Sequence, residues 1–439
     1  MDRRKTVLDI RNKNVMDSMY YSDLWIKLCR RSKGTLLTEE DIKKMNMENI
    51  EKGYLNNIFE EENELTRESI EESIKLVSRR PEADRYKNGA KLSKEYYDKL
   101  EDNMNLSELR DRKPEYGIVV KRGKLKSFPT SDRVFKEPKD YELDRFMESA
   151  VYVGEPCVIY SISRDGKWFF CKTFNCSGWI NSEYIALGDK EEIEEFSKSK
   201  DFIVVTGRKI MLGYNPFSEA LSEESLDMGV RLPIETDWER NDNIYDMYTE
   251  GNYIVKYPVR DRSGKLKLTH VLIPFNAEVK KGYLKCKRGN ILKQAFKFQG
   301  ERYGWGGEFE GRDCSSMIVD IFRTFGIYFP RNTSEQLKKS VGKSIYFDES
   351  TQKNDKLRVI EGVKPGALIY LSGHVVMVIG KYKEKTYVIH DVIGVHVEDE
   401  GELIYLPIRG VTISSLCDIY TSGEVNYVDA VIGIKDIFS

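Results

Sequence analysis

Three residues carry most of the chemistry that this sequence offers. Cys314 stands in Asp313-Cys314-Ser315-Ser316, and Ile318, Ile321, Phe322 and Phe325 follow it at helical spacing. Cys314 therefore falls at or beside a helix N-terminus, where unsatisfied amides and the helix dipole favour a thiolate. Upstream, Gly304, Gly306, Gly307 and Gly311 would let the backbone approach a ligand closely. A thiol nucleophile needs a base, and His is the usual one. His374 lies in Ser372-Gly373-His374-Val375-Val376, at the start of an apolar run, and His390 ends Tyr387-Val388-Ile389-His390. Neighbouring antiparallel strands would set His390 behind His374, as the group that orients the base. Taken singly, a Cys at a helix start is an ordinary small apolar residue and a His at a strand edge is ordinary too. Their conjunction, with a glycine-rich loop ahead of the Cys, points to a Cys–His hydrolase or transferase.

The rest of the chain must position these groups. Its 439 residues are enough for about three domains. Lys and Arg number 70 against 72 Asp and Glu, a balance that argues against a protein built to wrap nucleic acid. The apolar runs, such as residues 375–379, are far shorter than the roughly 20 residues of a bilayer span. Seven cysteines, an odd number, do not make a dense disulfide framework. With no CxxC pair and only four His, no zinc site is expected, and no cofactor is called for. No apolar leader core follows the charged residues at the N-terminus, so a cytoplasmic location is expected for the chain as given, and the cell wall if a leader has been removed.

Residues 1–113 read as helical and charged, with Thr38 as an N-cap and Asp41 three residues on, close to a capping box. From Pro114 the texture turns to short strands. Residues 114–195 carry an Asp165-Gly166 turn, Trp168-Phe169-Phe170-Cys171 and Gly178-Trp179-Ile180, and residues 196–285 form a second such unit with a turn at Ser263-Gly264. Both read as small β-barrels, with Trp168 and Trp179 in the core. Residues 286–439 read as helices followed by an antiparallel sheet, with separate strands over 387–389 and 394–397, giving an α+β multidomain chain.

The segment from Tyr303-Gly304-Trp305-Gly306-Gly307 to Arg312-Asp313-Cys314-Ser315-Ser316 resembles the signature of the NlpC/p60 cysteine peptidases. So do Pro365-Gly366-Ala367-Leu368 and Gly373-His374-Val375 with a later His. The two β units resemble bacterial SH3-like domains, and the N-terminal helices resemble the clip that precedes them in some of these peptidases. Ser316 departs from the family, which often has Gly there, and the stretch from Leu232 to Asn252 is insertion-like. The resemblance implies a papain-like catalytic domain that hydrolyses peptidoglycan stem peptides, commonly between γ-D-glutamate and the following diamino acid. It makes Cys314 the nucleophile, His374 the general base and His390 its orienter. Tyr303, with the Cys314 amide, would stabilise the oxyanion, and Asp313 and Ser315 would bind substrate, Asp313 through a free amine on L-alanine. An N-cap role for Asp313 remains open beside that one. The implied partner is peptidoglycan or its muropeptides. The β units would either bind wall or close one end of the cleft, so that only stems with a free amine fit. A wall-binding protein without activity, and an amidase or acyltransferase of the same fold, are the alternatives.

Overall fold

The computed structural model describes residues 13–29, 32–60, 64–238, 242–338 and 342–438. The chain forms two compact units. One takes residues up to Tyr54, Leu284–Gly304 and the chain from Phe309 onward; the other takes Leu55–Tyr283 and Trp305–Glu308. The stretch 1–113, read from sequence as one helical segment, thus divides at Tyr54 between them.

In the first unit, helix α1 (Ser22–Leu28) and helix α2 (Arg288–Phe296) pack on each other. Between them in sequence lies the helix Glu39–Glu51. Thr38 caps it, accepting from the Asp41 amide while the Asp41 side chain accepts from the Thr38 amide, so the capping box forms as its spacing predicts. Helix α3 (Cys314–Arg323) is buried along its whole length. The sheet contains β1 (Lys343–Tyr346), β2 (Leu368–Leu371), β3 (His374–Tyr382), β4 (Lys385–Asp399), β5 (Glu402–Ser415) and β6 (Val431–Asp436), in the spatial order β1-β6-β2-β3-β4-β5 and antiparallel throughout. The runs 387–389 and 394–397, which the sequence suggests as two strands, belong to the single long β4. The ladder to β5 slips between Val392 and Gly394, so the polar break in the pattern is a bulge rather than a turn. Helix α3 packs against β3 and β4, and Trp25 of α1 packs on Tyr387 of β4 with ring centroids 5.3 Å apart.

In the second unit, strands Glu115–Val119, Gly123–Lys126, Met147–Val151, Pro156–Ile162, Trp168–Lys172, Ser177–Asn181 and Ile185–Gly188 make one antiparallel sheet. Side chains alternate between two buried clusters. Val158, Tyr160, Trp168, Phe170 and Trp179 join one; Cys157, Ile159, Phe169, Cys171 and Ile180 join the other. Both tryptophans are core residues, and the Trp179 indole N–H donates to Ser78 Oγ at 3.1 Å. The Asp165-Gly166 turn joins Pro156–Ile162 to Trp168–Lys172, with Gly166 at positive φ. Past residue 196 the strands form three small sheets. The insertion-like stretch leads into the hairpin Asn252–Arg260 and Leu266–Pro274, which pairs without a slip over its full length.

Candidate active site

Asp313 starts α3. Its carboxylate accepts the Ser316 amide at 2.9 Å and Ser316 Oγ accepts the Asp313 amide at 2.9 Å, a reciprocal cap that fixes the first turn and places Cys314 at the first helical position. Ser316 therefore does a job that Gly does not. Asp313 Oδ1 also accepts from Ser315 Oγ at 3.0 Å. Arg331 grips the same carboxylate with both terminal nitrogens, Nη2 to Oδ2 at 2.6 Å and Nη1 to Oδ1 at 3.1 Å, and Nη1 reaches Ser315 Oγ at 2.8 Å. Burial pushes the Asp313 carboxyl up, but the Arg331 charge and these hydrogen bonds outweigh it and hold the group at about 2. Asp313 is both N-cap and ion-pair partner, and Ser315 is bound into the same network.

Cys314 is only 6% exposed. The helix terminus was expected to favour its thiolate, yet the thiol is pushed up to about 12, first by burial, then by the negative charge of Asp313 next to it and of Asp391; the Val375 amide, directed at the sulfur, opposes this. Desolvation in the closed site outweighs the helix dipole, whose effect is worth only about 0.3–1 kcal/mol at an exposed terminus. The Val375 amide ties the sulfur to the residue after His374.

His374 opens β3 and His390 lies on β4, and the antiparallel ladder between these strands brings His374 Nε2 to 3.1 Å from His390 Nδ1. His390 Nε2 lies 2.9 Å from Ser414 Oγ on β5. One of the two proton arrangements that these contacts allow leaves a base free. With a proton on His374 Nε2 donated to His390 Nδ1, His390 Nε2–H donates to Ser414, and His374 Nδ1 is the nitrogen left to face a thiol. Burial lowers His374 to about 4, and burial together with His374 lowers His390 well below its usual range. A raised thiol and lowered imidazoles agree: the resting site is a neutral thiol beside a neutral base. Tyr427 meets both imidazoles edge-on, with centroids 6.1 and 6.0 Å away.

Tyr303 is buried, and its backbone is held by the Arg409 carbonyl at 3.0 Å. Burial and the nearby Cys314 push its hydroxyl above the usual phenol range, so it stays protonated and able to donate. Gly307 and Gly311 stand where the chain packs closely. A Cβ on Gly307 would sit 2.5 Å from Ala150 Cβ, and one on Gly311 would sit 2.3 Å from the Arg302 carbonyl oxygen. Trp305–Glu308 belongs to the second unit, where Lys124 and Arg133 pair with Glu308 at 2.8 and 3.0 Å and Arg145 lies 4.9 Å from the Trp305 ring centre.

Arg331, Ser414, Tyr427 and Asp391 escaped the sequence reading. Arg331 follows Pro330 in a loop, and Ser414 is the last residue but one of β5. Their proximity to Asp313 and His390 comes only from the folded chain. Among the described residues no group of three or more His, Cys, Asp or Glu is arranged to hold a metal ion, and no helix is long and apolar enough to cross a membrane.

Residues 300–421 match the NlpC/P60 family, a family of cysteine peptidases and peptidoglycan hydrolases, and residues 133–181 match the SH3 domain of the SH3b1 type. No curated protein matches the chain. Among solved structures, the chain is similar to an NlpC/P60 endopeptidase from Photobacterium damselae subsp. piscicida at 19% identity, covering 96% of each chain with a TM-score of 0.73, which establishes a shared fold. An NlpC/P60 family protein from Bacillus cereus ATCC 10987 aligns at 18% identity over 67% of this chain and 83% of that one, with a TM-score of 0.44.

Proposed function

We propose, from a chain that carries an NlpC/P60 cysteine-peptidase domain and an SH3b-type domain, that its substrate is a peptidoglycan stem peptide cut between γ-D-glutamate and the L-diamino acid. The observation that carries the mechanism is Cys314 at the start of α3, with the Val375 amide at its sulfur and the hydrogen-bonded row His374, His390, Ser414 beginning one residue away. Cys314 Sγ attacks the scissile carbonyl carbon as its proton passes to His374 Nδ1. The oxyanion is met by the Cys314 amide and the Tyr303 hydroxyl. His374 then protonates the departing amine of the diamino acid, leaving a thioester, and water hydrolyses it with His374 again as base. His390, fixed by Ser414, keeps His374 in the required tautomer. The resting neutral pair means that charge separates only as attack proceeds, where the oxyanion donors meet it.

A free amine on the stem's L-alanine suits the same site. Asp313, held ionised by Arg331, offers an ammonium a charged acceptor beside the nucleophile, worth about 1.5–3 kcal/mol as a charge-assisted hydrogen bond. Digestion of L-Ala-γ-D-Glu-diamino acid peptides followed by mass spectrometry tests both statements. Release of L-Ala-γ-D-Glu by the wild type and none by Cys314→Ala is expected. Cleavage at another bond, or turnover retained in Cys314→Ala, overturns the reading.

A further inference from the structure

The two imidazoles of the site share a third ring. Tyr427 stands 6.1 Å from His374 and 6.0 Å from His390, centroid to centroid, at interplanar angles of 76° and 84°, and the imidazoles stand 5.4 Å from each other. The rings make a nearly equilateral triangle. The contact from His374 Nε2 to His390 Nδ1 runs along one side, and the phenol ring occupies the opposite corner. Edge-on pairs with centroids about 4.5–7 Å apart are an arrangement that aromatic rings favour. One side chain thus packs both on the base and on the residue that orients it. Tyr427 and His390 are buried, whereas His374 is half-buried, so what covers its flanks decides how much water reaches the base.

The chain around Tyr427 holds that ring in place. Tyr427 opens the single turn Tyr427–Ala430, far shorter than a helix that sustains itself. Ahead of it, Asn426 Oδ1 accepts the Val428 amide at 3.0 Å, and Asn426 Nδ2 donates to the Cys417 carbonyl at 2.8 Å, which caps the turn and ties it to the chain just past β5. Behind it, the buried Lys356 ammonium donates to the Asp429 carbonyl at 2.6 Å and the Val431 carbonyl at 2.9 Å. A cation suits carbonyls at the C-terminal end of a helical turn, and a lysine is seldom buried unless its charge is met. Both ends of the turn are therefore fixed by buried polar contacts, and the ring between them is pressed on the histidines. The other titratable groups packed around the pair are Cys314 and Asp313, with Arg331, at the start of α3, Tyr303 ahead of it, Tyr370 on β2 and Asp391 beside His390 on β4. The lowering of His374 comes from burial alone.

We propose that Tyr427 is a positioning residue for the catalytic base: its ring closes one flank of both imidazoles, keeps water from them and holds His374 in the plane in which its Nε2 meets His390. The proposal rests on His374 being the base, but its test does not use the hydrolytic reaction. The chain has four histidines, so the full-length protein with isotope-labelled imidazole nitrogens gives four resolvable sets of signals, assigned by replacing one histidine at a time. Their shifts report protonation and tautomer at each pH. In the wild type and in Tyr427→Phe the His374 midpoint is expected at about 4. In Tyr427→Ala water enters beside the rings and solvates the charged form, so the midpoint is expected to rise by about one pH unit or more toward the ordinary value. A midpoint that does not move in Tyr427→Ala overturns the proposal, because a merely structural ring alters stability and not titration. A rise in Tyr427→Phe as large as in Tyr427→Ala overturns it as well, since the hydroxyl and not the ring would then be acting. His396, whose Nδ1 lies 3.0 Å from the Thr421 carbonyl, reports whether the chain leading to Tyr427 has kept its place. Should Tyr427→Ala fail to fold, Tyr427→Leu replaces it: an isobutyl group is too short to cover two rings, so a smaller rise is expected, and a midpoint equal to that of Tyr427→Phe refutes the proposal. Failure of the peptidase reading would show separately, as hydrolysis surviving in Cys314→Ala.

Discussion

Arg331→Met tests whether the buried ion pair at Asp313 holds the site together. Methionine keeps much of the arginine's volume and removes three hydrogen bonds, two to Asp313 and one to Ser315. Removing one partner of a buried pair leaves an uncompensated charge and costs about 3–5 kcal/mol. The depression of Asp313 from 3.8 to about 2 gives an independent scale: nearly two pH units, or roughly 2 kcal/mol. Because the folded value lies below the unfolded one, this stabilisation is fully present above about pH 4 and is lost as pH falls toward 2. A chain of two units need not unfold in one step, so local stability is the right measure. Hydrogen exchange of the amides of α3, Cys314–Arg323, at neutral pH should report a loss of at least about 2 kcal/mol in Arg331→Met. Near the bottom of that pH window the wild type should approach the variant. A loss well under 1 kcal/mol, or one that does not shrink on acidification, would refute the reasoning that Arg331 compensates the Asp313 charge.

The acid limb of kcat/KM should fall near pH 4 and not near 6.5, since burial lowers His374 and leaves it an unprotonated base through mildly acid conditions; a limb near 6.5 would contradict the buried neutral pair. His374→Ala should reduce kcat by about 10²–10⁴-fold, whereas Ser414→Ala, which leaves His390 without its Oγ partner, should reduce it far less while lowering thermal stability by about 1–3 kcal/mol. N-acetylation of the stem's L-alanine should lower kcat/KM about tenfold to a hundredfold, and Asp313→Asn should erase the difference; equal rates on both stems in the wild type would remove the amine from the specificity.

The sequence by itself determined the local features. Thr38 and Asp41 three residues apart make a capping box, Asp165-Gly166 turns a hairpin, and Asp313-Cys314 ahead of an apolar 3.6-residue period starts a helix with the thiol in its first turn. Each depends on residues within four or five positions of one another, so the pattern alone specifies it. Tertiary structure decided what joins distant positions. His374 and His390 meet because of the register between β3 and β4, and Ser414 because β5 lies beyond β4. Arg331 reaches Asp313 across 18 positions. The thiol's protonation was set in the same way: the helix terminus, visible in sequence, favours the anion, while burial and the Asp313 charge, visible only in the fold, outweigh it. Asp391 makes the point most sharply. In sequence it is one aspartate after a histidine; only the packed fold excludes it from water, because desolvation is a property of the whole chain and not of its local pattern.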